Sequence, residues 1–165
     1  TYYVLTLGFD LDQFELLPTA DEHQAVGYLG PDLLGANWDP DLALANLLAD
    51  PAREVGLALL DQRNLAGLGN VYRAELLFLR GLLPTRPVGE VTEPEKLIEL
   101  AWRLIEANKD RAIRTTTGRL TGQRLWVYGR AGKPCFRCDT PIERAQLGDS
   151  EIHLRDVWWC PSCQA

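Results

Sequence analysis

Methionine is absent from all 165 residues, and no cysteine occurs before position 135. Without a Met at its start, and opening Thr1-Tyr2-Tyr3-Val4 on a strand-like pattern, the chain reads as a fragment or processed product. No apolar run approaches the roughly 20 residues that a bilayer-spanning helix needs, and no secretory signal pattern opens the chain. Neither a membrane span nor a disulfide-stapled secreted domain is expected on these grounds. Basic side chains are also scarce at first: residues 1–100 carry six, against sixteen acidic ones. Residues 101–165 reverse the balance, with eleven basic and seven acidic. Within 109–137 stand Lys109, Arg111, Arg114, Arg119, Arg124, Arg130, Lys133 and Arg137 against Asp110 alone. The overall charge of −6 therefore conceals a local field that can recruit a polyanion; the plain alternative is a solvated basic linker. The 46% apolar content suffices for one ordinary domain or two small ones.

The pattern along the chain predicts a mainly α protein with small β parts. Residues 2–17 alternate weakly and carry Tyr, Val, Thr and Phe, which predicts one or two strands broken at Gly8. Asp39-Pro40 starts a helix to about 49, because Asp accepts from free amides and Pro tolerates the first turn. Asp50-Pro51 repeats the device and predicts a second helix over 51–62. Asn70 to Arg80 forms the next, with Val71, Ala74, Leu77 and Phe78 on one face and Gly81 as its stop. Thr92 and Glu95 form a capping box for a helix running to about Arg114, with Leu97, Leu100, Ala101, Leu104 and Ile105 at helical spacing. Residues 124–130 (RLWVYGR) are expected to form a short strand. Three parts follow: a β remnant and linker (1–30), a helical body (31–114) and a small metal module (125–165).

The four cysteines stand as Cys135-x-x-Cys138 and Cys160-x-x-Cys163. Two such knuckles can present four thiolates to one tetrahedral ion, for which Zn²⁺ fits best. Four thiolates close the shell, so the role is structural, supplying folding energy that so small a module lacks. Two disulfides, a redox pair or an iron–sulfur centre are the alternatives.

LLDQRNLAGLGNVYRAELLFLRGLLPTRP (59–87), VYGRAGKPCFRC (127–138) and WWCPSCQ (158–164) together resemble the formamidopyrimidine-DNA glycosylase/endonuclease VIII family. The first stretch is similar to its helix–two-turns–helix motif and the tail to its C-terminal β-hairpin zinc finger. Residues 1–17 would then be residual strands of an N-terminal β domain. The resemblance implies base-excision repair: removal of oxidised bases from double-stranded DNA and cleavage of the abasic site by β,δ-elimination. Asn70 matches the family's phosphate-binding asparagine, with Gly67 and Gly69 clearing space for the backbone; a cap at Asn70 and a simple glycine turn are the alternative. Arg155 matches the zinc-finger arginine that clamps phosphates. The stretch from Ile142 to Cys160 is longer than usual, however, so Arg137 and Arg144 remain possible substitutes.

The family's nucleophile is an N-terminal proline followed by a glutamate, and Thr1-Tyr2-Tyr3 offers neither. No catalytic residue is therefore expected in this chain, which reads as the DNA-binding portion of an enzyme. The alternative is a non-catalytic zinc-ribbon module that binds DNA or protein. A short connection at 115–126 and the WWCPSCQ tail tilt the resemblance toward the endonuclease VIII branch and oxidised pyrimidines. A bacterial cytoplasmic, nucleoid-associated location is implied. Unpaired strands at 1–17 could dimerise the chain. A dinucleotide site built on GLGNVY fails, because the segment follows a helix and Tyr72 replaces the third glycine.

Overall fold

The computed structural model describes residues 26–150 and 154–164. The strands expected at 2–17, and dimerisation through them, lie outside the described residues. Among the described residues the regular structure is four α-helices, a short 3-10 turn (Val88–Glu90) and one hairpin: α1 (Pro40–Leu48), α2 (Val55–Ala58), α3 (Asn70–Arg80), α4 (Pro94–Glu106), β1 (Glu143–Leu147) and β2 (Arg155–Trp159). A mixed helical body with a small antiparallel sheet is the architecture expected from the sequence pattern.

Local chemistry accounts for two of the helix ends. Asp39 caps α1 by accepting from the Leu42 amide at 2.9 Å. Gly81 ends α3 in the left-handed region at φ 68°, where a Cβ would be strained. Three helix expectations fail. The helix expected over 51–62 shrinks to the four residues of α2, because its amides are spent elsewhere: Val55 donates to Arg86 O and Gly56 to Pro84 O, both at 2.8 Å. The Thr92 capping box does not form; Glu93 holds the cap position at φ 54° without a side-chain cap, and Pro94 opens α4. The same helix stops at Glu106 rather than Arg114. Buried Asn108 turns the chain there, donating to Leu104 O and Thr115 O and accepting from the Thr115 amide.

Two apolar clusters share α3. Leu76 and Leu77 face a core with Leu33, Leu47, Leu59 and Leu97, whereas Ala74 and Phe78 face Val127, Cys135, Ile142 and Trp158. Both faces of this helix are thus buried, which explains its run of buried residues from Arg73 to Phe78. The strand expected at 124–130 is absent. The amides of Trp126, Val127 and Tyr128 instead donate to the carboxylate of Glu75, at 2.7, 2.9 and 2.9 Å. A strand partner is unnecessary when one buried carboxylate satisfies three successive amides.

β1 and β2 pair antiparallel with Leu147 opposite Arg155 and Glu143 opposite Trp159. Gln164 fastens the cysteine segment to the body. Its side chain is 1% exposed, accepts from Cys160 N at 2.8 Å and donates to Leu82 O at 2.7 Å. Replacing it by Ala leaves both backbone groups buried without partners and should cost about 2–3 kcal/mol. Chemical denaturation of the metal-loaded chain measures this; a change under about 0.5 kcal/mol, the usual range for inconsequential surface substitutions, would show that the link carries no stability.

Candidate nucleic-acid interface

The AGLGN turn is anchored by the buried Ala66 and Leu68 and braced by amide side chains. Gln62 spans it, accepting from Gly67 N at 2.9 Å and donating to Leu60 O and Leu68 O. Asn64 donates to Ala58 O, and Asn46 to Arg63 O and Asn64 O. Gly67 sits at φ 95°, a conformation that a side chain would strain. Gly69 differs: a Cβ there would meet nothing within 4 Å, so the space beside it is open.

Gly69, not Asn70, is the N-cap of α3, and it supplies no side-chain cap. The first-turn amides of α3 therefore keep their affinity for an external acceptor, reinforced by the positive end of the helix dipole. Half-buried Asn70 is the first helical residue. Its Nδ2 donates to Asp156 O at 3.1 Å, and its Oδ1 accepts from Arg73 at 2.5 Å.

Asn70, Gly69 and Arg155 line one open cleft of about 510 Å³, together with Arg53, Asp61 and Arg63. Residues 86 positions apart are joined here because β2 docks on α3 through the Asp156 carbonyl. Arg155 is exposed, and its guanidinium donates to Leu154 O at 3.2 Å. Asp61 ties Arg63 and Arg53, and hydrogen bonding to Arg63 holds its carboxyl well below the usual carboxylate range. Arg53 also reaches Asp149 at 2.8 Å, which tethers the far end of β1 to the body.

The two alternatives to Arg155 are engaged elsewhere. Arg137 lies over the rings of Phe78 and Trp126, at 4.4 and 5.0 Å. Arg144 pairs with Asp156 through both carboxylate oxygens. Gly67 does not join Asn70 and instead lines a second cavity, of about 660 Å³, on the other side of the turn. Lys109, Arg111, Arg114 and Arg124 line that cavity with Tyr72, and among the described residues no carboxylate does. The basic segment is thus partly a surface field and partly packing, since Arg130 lies over Phe136 at 3.4 Å.

The four cysteines converge with all Sγ atoms within 4.8 Å of one another. Sγ separations of 3.4 Å (Cys138–Cys160 and Cys138–Cys163) and 3.9 Å (Cys135–Cys163) are close to the roughly 3.8 Å edge of a tetrahedral thiolate site. The Arg137 amide points at Cys135 Sγ at 3.4 Å. Burial, followed by the neighbouring thiols, pushes Cys163 up to about 12. The cluster can hold a metal ion, and a cation is what would let four thiolates share so small a volume. Two positions escaped the sequence reading, Arg73 and Glu75, both fully buried within α3. A charged residue inside a helix's apolar face is a visible signal, but its partners are not local.

Residues 29–123 match the model of the formamidopyrimidine-DNA glycosylase H2TH domain. Over 161 residues the chain is 55% identical to a probable endonuclease 8 2 of Streptomyces coelicolor, covering 96% of this chain and 58% of that protein. It is 48% identical to the DNA-(apurinic or apyrimidinic site) lyase Nei2 of Mycolicibacterium smegmatis, covering 96% and 61%. The chain therefore spans about three fifths of these relatives' length. The MutM (Fpg) protein of Thermus thermophilus superposes with a TM-score of 0.69 at 30% identity, covering 87% of this chain and 57% of that one. Lactococcus lactis Fpg in complex with abasic-site DNA gives 0.67 at 25%, covering 88% and 56%. The chain belongs to the formamidopyrimidine-DNA glycosylase/endonuclease VIII family, on its endonuclease VIII side.

Proposed function

We propose that this chain is the DNA-gripping portion of a base-excision-repair DNA glycosylase/abasic-site lyase that removes oxidised bases, chiefly pyrimidines, and cleaves abasic sites by β,δ-elimination. The observation that carries this reading is the single cleft shared by Asn70, Gly69 and Arg155 in a chain of this family. A phosphate oxygen there would take a hydrogen bond from the Asn70 amide, a forked contact from Arg155 and the uncapped amides of α3. Gly69 leaves room for the strand to approach, and Gly67 shapes the turn. No bond-breaking role is assigned to these residues. The whole enzyme would extrude the target nucleotide, since its glycosidic carbon is unreachable inside a duplex. The preference for pyrimidines is supported by the tight 115–126 connection, where Thr116 N and Thr117 N both donate to Arg124 O, and by the endonuclease 8 names of its relatives. A bacterial cytoplasmic, nucleoid-associated setting fits this work; among the described residues no helix is long and apolar enough to cross a membrane.

Cys135, Cys138, Cys160 and Cys163 would hold structural Zn²⁺, because a closed set of four thiolates suits that ion and leaves no open position for chemistry. The ion would keep β2, and with it Arg155, beside α3.

Binding to duplex DNA carrying a tetrahydrofuran abasic-site analogue tests the reading. Asn70→Ala and Arg155→Ala should each weaken binding about tenfold, since charge-assisted contacts are worth about 1.5–3 kcal/mol. Gly69→Ala should leave the thermal midpoint unchanged and still weaken binding. Parental affinity in both Asn70→Ala and Arg155→Ala would sink the phosphate site. Equal affinity for intact and abasic duplex would favour a non-catalytic DNA-binding module.

A further inference from the structure

Arg73 is 0% exposed, yet no carboxylate accompanies it among the described residues. Its guanidinium reaches three neutral oxygens: Asn70 Oδ1 at 2.5 Å, Asp156 O at 2.7 Å and Gly56 O at 3.3 Å. The nearby acids are otherwise engaged, Asp156 with Arg144 and Glu75 with the amides of residues 126–128. Burial pushes its pKa down to about 10, so the side chain stays cationic at neutral pH. A buried charge without a counter-ion is costly, and anything that supplies the missing negative charge nearby is favoured.

We propose that Arg73 is the positioning residue that sets Asn70 and Arg155 as one anion clamp, with the DNA phosphate as its absent counter-charge. A guanidinium can only donate, so it obliges Asn70 to turn its oxygen inward and its NH₂ outward. One of those two hydrogens goes to Asp156 O, which leaves the other for an acceptor in the cleft that Asn70 lines. The same guanidinium grips the Asp156 carbonyl, one residue from Arg155, and so fixes where β2 presents that side chain. Arg73 itself touches no solvent and no phosphate. It acts through its two neighbours. The inference rests on the phosphate site proposed above.

A double-mutant cycle on abasic-analogue duplex tests it, with Arg73→Met, Asn70→Ala and the pair in the metal-loaded chain. Arg73→Met should weaken binding about tenfold, and the pair should bind clearly more tightly than the product of the two single losses, the remaining loss passing through Arg155. Arg73→Lys keeps the charge but not the fork, and should recover part of the loss. If Arg73→Met fails to fold by near-ultraviolet circular dichroism, Arg73→Lys takes its place in the cycle with the same expected non-additivity. Losses that multiply would reduce Arg73 to packing, and parental affinity in the Arg73 variant would overturn the inference outright. Parental affinity in Asn70→Ala would instead remove the phosphate site itself, and the inference with it.

Discussion

Chelating the ion proposed for the four cysteines should collapse the cysteine module and lower affinity for abasic duplex by at least about a hundredfold, with zinc restoring both. The hairpin has five residues in each strand, and an isolated two-stranded hairpin is marginal in water. Its apolar cluster is small and borrows Ala74 and Phe78 from α3. Structural zinc supplies an apparent 10–16 kcal/mol or so, as much as the whole stability of an ordinary domain. Losing such an ion would release the Asp156 carbonyl from Asn70 and Arg73, and carry Arg155 away from the cleft. The helical body has its own core around Leu47, Leu59, Leu76 and Leu97, so far-ultraviolet helicity should change little. The tertiary signal of Trp126, Tyr128 and Trp158 should vanish. Unchanged DNA affinity in fully demetallated protein would show that the module has no part in the grip.

Glu75→Ala should be the most destabilising single substitution in the helical body, at about 4 kcal/mol. The carboxylate is fully buried and accepts from three consecutive backbone amides and from the Thr116 hydroxyl. Each buried donor left without a partner costs about 1–3 kcal/mol, and the lost side chain adds a cavity. A loss of that size lowers the thermal midpoint by roughly 8–16 °C for a chain of this length. Glu75→Gln should cost about half as much, because one acceptor oxygen survives while the new NH₂ faces other donors. Differential scanning calorimetry of the metal-loaded variants decides. A shift below about 3 °C for Glu75→Ala, near 1 kcal/mol, would mean that the segment is anchored elsewhere.

What could be read without coordinates was chemistry carried by neighbouring residues. Asp39-Pro40, Gly81 and the apolar spacing of 70–80 set α1 and α3, because caps and helical periodicity act within a few residues. The paired Cys-x-x-Cys knuckles announced a metal site by spacing alone. Asn70, Gly69 and Arg155 were named through resemblance, and all three line one cleft. Misreadings fell where distant partners outbid local preference. Asp50-Pro51 signals a helix start, but the backbone at 54–56 bonds to the 84–87 loop instead. RLWVYGR has the composition of a strand, but Glu75, about fifty residues earlier, takes its amides. Arg73 reads as an interruption in an apolar face until the Asp156 carbonyl, 83 positions away, arrives beside it. Caps and spacing thus marked α1, α3 and the cysteine cluster, and the resemblance of the quoted motifs pointed to the family. Tertiary structure alone decided which buried charges have partners, because a buried polar group must be satisfied by whatever the fold brings to it, however far away in the chain.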